Sequence, residues 1–223
     1  MTTRLGFEAI LKFSAGFALV AVLLFLPAGT VDYPGGWLLI SILFIPMFLA
    51  GLVMMAVNPG LLRSRLNAKE KEREQDQVVK LSGLMFLCGF LLAGLDFRFG
   101  WSDLPFAVNC VGAVLFLLAY VLYAEVLREN TWLSRTIEGQ EGQSVVSTGL
   151  YGIVRHPMYA VTILLFLMIP LVLGSWYALI AFAFYPAIIV VRLKDEEDLL
   201  TRELPGYAEY MQKVRYRLIP FVW

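Results

Sequence analysis

Apolar residues gather into six long runs separated by polar stretches, at roughly Phe13 to Leu26, Trp37 to Val57, Val78 to Leu95, Leu104 to Val126, Tyr159 to Leu173 and Trp176 to Val191. A membrane-crossing helix needs about 20 apolar residues, and fewer than about 17 is short for a hydrocarbon core of about 30 Å. The second, third and fourth runs meet that length. The first meets it by borrowing Ala9 to Lys12, where Lys12 can reach back to the interface. The last two runs are short, are parted only by Gly174-Ser175 and carry Pro170 and Pro186 inside or near their ends. Proline is tolerated in membrane helices where neighbours satisfy the freed carbonyls. The pattern predicts an all-α fold: a polytopic transmembrane helical bundle of about six spans, the last two a short helical hairpin that need not cross the full bilayer.

Composition strengthens this picture. Of 223 residues, 59% are apolar and 16% charged, and the mean hydropathy is +0.72, so the bilayer is the main solvent. Lysine and arginine set the orientation. Arg63, Arg65, Lys69, Lys71 and Arg73 lie in the loop after the second run, and Arg128, Arg135 and Arg155 lie between the fourth and fifth. Arg192, Lys194, Arg202, Lys213, Arg215 and Arg217 lie in the tail, whereas the intervening loops carry little positive charge. With six crossings this predicts a multi-pass integral membrane protein with both termini inside. No cleavage-site pattern follows the first run, so no secretory signal peptide is expected. The polar loop Asn58 to Gln77 is expected to be a surface helix. A net charge of zero leaves no basic face for nucleic acid once this asymmetry is accounted for. Cys88 and Cys110 stand alone inside apolar runs and read as packing residues.

Two polar constellations remain. Ser144 to Gly149 reads as extended or turn-like, and polar backbone near a membrane persists only where protein or a wet cavity surrounds it. Arg155-His156-Pro157-Met158-Tyr159 follows, at the mouth of the fifth run. His156 is the sole histidine. With no second His or Cys nearby it cannot build a zinc site, and on its own it also suits an interfacial anchor. The second constellation is Arg192-Leu193-Lys194-Asp195-Glu196-Glu197-Asp198, where the sixth run ends. Arg192 and Glu196 are four apart and share a helix face, with Lys194 and Glu197 expected to turn elsewhere. Solvated charges at a helix end are the plain alternative. The tail Leu204-Pro205-Gly206-Tyr207-Ala208-Glu209-Tyr210, with Lys213, Arg215, Tyr216 and Arg217, reads as an interfacial belt or as a lid. Chain organisation follows: a four-span region over 1–127 and a site-bearing region over 128–223.

Taken together, Gln143-Ser144-Val145-Val146-Ser147-Thr148-Gly149-Leu150-Tyr151, Arg155-His156-Pro157-Met158-Tyr159, Arg192 with Glu196-Glu197, and Gly206-Tyr207 with Tyr210 resemble the isoprenylcysteine carboxyl methyltransferase family and its bacterial relatives. The likeness runs from about Asn130 onward. It implies S-adenosyl-L-methionine as cofactor in a cytoplasm-facing C-terminal segment. The positions matching the family's cofactor contacts are Gln143, Ser144, Val145, Val146, Tyr151, His156, Pro157, Met158, Tyr159 and Glu196. Arg192 matches a substrate-binding arginine, and with Glu196 it would carry the catalytic role. The implied reaction is methylation of a carboxylate on a lipophilic, isoprenylcysteine-like acceptor drawn from the bilayer. The partners implied are that acceptor and membrane lipids, with no metal and no nucleic acid. Gln143 stands where eukaryotic members have a histidine, and Leu204-Pro205-Gly206 replaces a Phe-Gly. Both point to a bacterial subgroup, hence a bacterial inner membrane. The alternatives are a phospholipid or small-amine N-methyltransferase and, further off, a sterol-reductase-like enzyme using NADPH. Such reductases share Arg-His-Pro-x-Tyr but commonly follow the Tyr with an acidic residue, and Ala160 to Phe166 contain none.

Overall fold

The computed structural model describes residues 2–66, 73–130 and 144–223. The first apolar runs form α1 (Thr2–Ala28) and α2 (Pro34–Val57). Pro34 opens α2, where a missing N–H costs nothing. The expected surface helix is met in part by α3 (Pro59–Leu66), whose start is capped by Asn58 Oδ1 accepting from the Leu61 N–H at 3.0 Å. Residues 67–72 lie outside the described part. Next come α4 (Arg73–Phe99), α5 (Phe106–Glu129), a 3-10 turn at Gly149–Gly152, α6 (Pro157–Leu173), α7 (Trp176–Phe182), α8 (Tyr185–Glu203) and α9 (Tyr207–Lys213). No strand occurs among the described residues.

Five stretches are long and apolar enough to cross a membrane: Arg4–Ala28, Pro34–Val57, Gln77–Phe99, Phe106–Glu129 and Trp176–Glu203. The chain is a polytopic helical bundle and an integral membrane protein. The hairpin is present but its arms are unequal. The α6 arm has 17 residues, about 25 Å at 1.5 Å per residue, and is short of the hydrocarbon thickness. The second arm is longer than the expected run ending at Val191 and is broken at Ala183–Phe184. The break follows from Pro186, which has no N–H for the carbonyl four residues back and crowds it. Beyond Val191 the helix continues because Arg, Leu, Lys and Glu are good helix formers.

The hairpin bend is a helix C-terminal lock. Gly174 adopts a left-handed φ of 74°, its N–H donates to the Leu171 carbonyl and that of Ser175 to the Pro170 carbonyl. Ser175 then caps α7, its hydroxyl accepting from the Ala178 N–H at 3.0 Å. The same hydroxyl donates to buried Asp96, which also binds the N–H and hydroxyl of Ser102, each at 2.7 Å. Tyr33 and Asn109 donate to the Leu173 and Val172 carbonyls at 2.8 and 3.0 Å. One end of the bundle is thereby tied together through polar groups. Within the bundle α6 is the central element, packed along α5 and against α2, α7 and α8. A side-chain carbon on Gly112 of α5 would come 3.0 Å from the Val172 backbone, so the absence of a side chain there lets these helices approach closely. The core, including Leu39, Phe116, Leu165, Ile169 and Phe182, gathers around α6.

Candidate active site

The other end of the bundle collects the charged segments. Glu129, at the end of α5, accepts the Leu150 N–H at 2.9 Å through its side chain and so anchors the 3-10 turn. Gly149 has φ 52°, and a side-chain carbon there would land on the Glu129 carboxylate. From that turn the chain enters Val154, Arg155 and His156, all buried, and Pro157 starts α6 in its favoured first position.

The tail folds back onto this entry segment. The Arg155 N–H donates to the Tyr216 carbonyl at 2.8 Å and the His156 N–H to that of Arg217 at 3.0 Å. At the centre is Glu197, which is 6% exposed. Arg155 Nε donates to its Oε1 at 2.6 Å, Arg217 Nε donates to its Oε2 at 2.9 Å, and His156 Nε2 lies 3.2 Å from Oε1. Arg155 Nη1 also donates to the Val214 and Arg215 carbonyls at 3.0 and 3.2 Å. A carboxylate removed from water needs this many charged donors to remain ionised there.

Glu197 turns to a different face from Arg192 and Glu196, and that face points inward. Its face carries Leu193, four residues earlier, and both are buried. The i, i+4 pairing of Arg192 with Glu196 does hold in space, on an adjoining face, where both meet Tyr159. The Tyr159 hydroxyl accepts from Arg192 Nε at 3.1 Å and lies within electrostatic reach of Glu196. The Tyr159 and His156 rings stack at 5.7 Å, and Glu196 Oε2 is 3.8 Å from His156 Nδ1.

Three buried polar atoms lack a hydrogen bond of good geometry among the described residues: Tyr151 Oη, which has Asn130 close by, Glu196 Oε2, which has His156 Nδ1 at 3.8 Å, and Tyr207 Oη. Burial, with the Glu196 charge adding to it, holds the Tyr151 and Tyr207 hydroxyls well above the usual phenol range, so both are neutral donors. Buried polar groups left unpaired cost free energy and are satisfied by water or by a ligand. Tyr151 and Tyr207 both lie within electrostatic reach of Glu196, and two hydroxyl donors near a carboxylate suit a polar ligand bearing both acceptors and a cation or hydroxyls. The tail packs beside them. Tyr210 donates to the Tyr151 carbonyl at 2.7 Å, and Tyr207, Tyr210 and Val214 cluster with Val145, Leu200 and Leu204.

Tyr151, His156, Pro157, Tyr159, Arg192 and Glu196 thus come together at one end of the bundle. Val145 packs on the tail cluster, Val146 and Met158 on the main core, and Ser144 is exposed. Gln143 lies outside the described residues. Sequence reasoning missed the roles of Arg155, Glu197 and Arg217. The adjacent acidic pair at 196–197 was the available signal, since two consecutive helix positions cannot serve the same face. Among the described residues, no three His, Cys, Asp or Glu side chains assemble as a metal ion requires.

Fold and site together define a polytopic membrane protein with a buried, charge-lined centre at one end. Residues 108–206 match the model of the phospholipid methyltransferase family, so this part of the chain is similar to membrane methyltransferases. A stretch of 91 residues is 32% identical to the Delta(14)-sterol reductase TM7SF2 of Mus musculus, which covers 40% of this chain and 22% of that protein. The chain therefore spans less than a quarter of the length of that curated relative.

Proposed function

We propose that this chain is an S-adenosyl-L-methionine-dependent membrane methyltransferase acting on a lipophilic acceptor, with the carboxylate of an isoprenylcysteine-like compound as the preferred methylated group. The observation carrying this is the trio of buried polar atoms on Tyr151, Glu196 and Tyr207 that lack a hydrogen bond, two of them within the stretch 108–206 that matches the methyltransferase family and the third directly after it. Tyr151, His156, Tyr159, Glu196 and Tyr207 would hold the cofactor. When bound, it supplies a methyl group on a sulfonium that is its own leaving group.

The protein's contribution is then mostly placement. A carboxylate acceptor already ionised needs alignment rather than a general base. Arg192, near the middle of α8 where its apolar half gives way to charged residues, presents a planar guanidinium whose paired N–H groups match a carboxylate, a geometry that lysine cannot offer. Its Nε is braced by Tyr159, which fixes the plane of the guanidinium. The spans would admit the acceptor from the bilayer. The surplus of basic residues at the site end supports a cytoplasmic site with both termini inside, and Gln143 with Leu204-Pro205-Gly206 supports a bacterial inner membrane.

The phospholipid family match favours a second acceptor, a phospholipid amine, with Arg192 then holding the neighbouring phosphate. The local likeness to a sterol reductase gives a third reading, with NADPH as the ligand. Titrating detergent-purified protein with S-adenosylhomocysteine and with NADPH separates the classes. Saturable binding of the first alone is expected, and saturable binding of NADPH alone refutes methyl transfer. Labelled methyl transfer to farnesylcysteine analogues, compared with phosphatidylethanolamine vesicles, then assigns the acceptor.

A further inference from the structure

The tail carries an apolar turn that no part of the described fold covers. Tyr207, Tyr210 and Val214 form a small cluster of their own. Leu218, in contrast, is buried in the main core with Val126, Val161 and Leu193.

There the backbone closes a tight turn. The Leu218 and Ile219 N–H groups donate to the Trp223 carbonyl at 2.9 and 3.0 Å, and the Trp223 N–H donates to the Ile219 carbonyl at 3.1 Å. Trp223 packs against the core, with the Arg217 guanidinium 5.2 Å from its ring centroid. With those residues turned inward, Ile219, Phe221 and Val222 project outward at 55%, 87% and 74% exposure. Phe221 has φ 64°, the one non-glycine residue at positive φ among those described. The hydrogen bonds of the turn hold that left-handed backbone and with it the outward direction of the Phe221 side chain.

The surroundings say what these side chains meet. Lys213 and Arg215, just upstream, are exposed, and the Tyr216 ring lies 5.4 Å from that of Phe221. Cations at the headgroups, a tyrosine at their level and aliphatic or phenyl groups below them form the order of an interfacial membrane anchor. We propose that Ile219, Phe221 and Val222 insert into the leaflet beside the site, with Lys213 and Arg215 against its anionic headgroups. The occupant of this surface is the lipid itself, continuous with the lipid-facing sides of the bundle. Through Arg217 the same turn is bonded to Glu197, so the anchor fixes the tail wall of the site to the membrane plane.

The test places single cysteines at positions 221, 222 and 209 in a background carrying Cys88→Ser and Cys110→Ser. Each is labelled with an environment-sensitive fluorophore, and the full chain is reconstituted into phosphatidylethanolamine and phosphatidylglycerol vesicles. Labels at 221 and 222 should be blue-shifted, quenched by spin-labelled lipid and protected from aqueous iodide, while the label at 209 shows the reverse. Labels at 221 and 222 that behave like the one at 209 overturn the proposal. Protection from iodide without lipid quenching indicates a protein partner and overturns it equally. Binding of S-adenosylhomocysteine by the same samples reports separately on the proposed function, which this inference does not require.

Discussion

Glu197 holds two guanidinium groups and an imidazole on one carboxylate in a place closed to water. Removing the carboxylate leaves the Arg155 guanidinium charged and buried without its partner, beside a partly exposed Arg217. Glu197→Ala should therefore cost about 3–5 kcal/mol, read as a lowered unfolding midpoint in detergent. Its neighbour behaves differently, because Glu196 has an unsatisfied oxygen facing the proposed cofactor space. Glu196→Gln should leave the unfolding midpoint close to wild type while weakening S-adenosylhomocysteine binding roughly tenfold to a hundredfold, the worth of about 1.5–3 kcal/mol for a charged hydrogen bond. Arg192→Lys should retain that binding and lose most of the transfer rate; unchanged turnover would remove the assigned role. The motifs naming His156, Tyr159, Arg192 and Glu196 were legible in the sequence because they lie in short contiguous segments. The role of Glu197 was not, because Arg217 is 20 residues away and Arg155 is 42, and no local periodicity encodes such a fold-back.

Among the elements, α1, α2, α4 and α5 were legible from hydropathy alone, since a helix surrounded by lipid is apolar nearly throughout. The unequal hairpin was not. Its second arm mixes an apolar half with a charged half, and hydropathy registers only the first, whereas helix propensity runs through both. The shortness of α6 has a packing explanation: neighbouring helices enclose it along most of its length, so it answers to protein rather than to lipid thickness. Two changes probe how the ends are held. Ser175→Ala strips Asp96 of a donor and α7 of its cap, and should cost about 1–3 kcal/mol. Being at the far end, it should leave S-adenosylhomocysteine affinity unaltered in the same preparation. Gly149→Ala forces a left-handed residue to carry a side chain against Glu129. A loss of about 1–3 kcal/mol is expected, and here ligand affinity should fall as well, because the turn leading to Tyr151 shifts.

At the scale of the molecule the basic residues and the site share one end, and the Asp96, Ser175 and Tyr33 ties share the other. Positive charge is retained on the cytoplasmic side. A fluorescent reporter fused after Trp223 should accordingly be active, and an alkaline phosphatase fused there silent; the opposite pair of results would invert the orientation. The bond from Arg217 to Glu197 has one more consequence, for how the protein comes into being. Until the segment at Tyr216 and Arg217 has folded back, Glu197 lacks its second cation and the entry segment at Arg155 has no backbone partner. A chain with that segment detached keeps every membrane helix and has an unfinished site, so completing the site is a separate step from packing the spans.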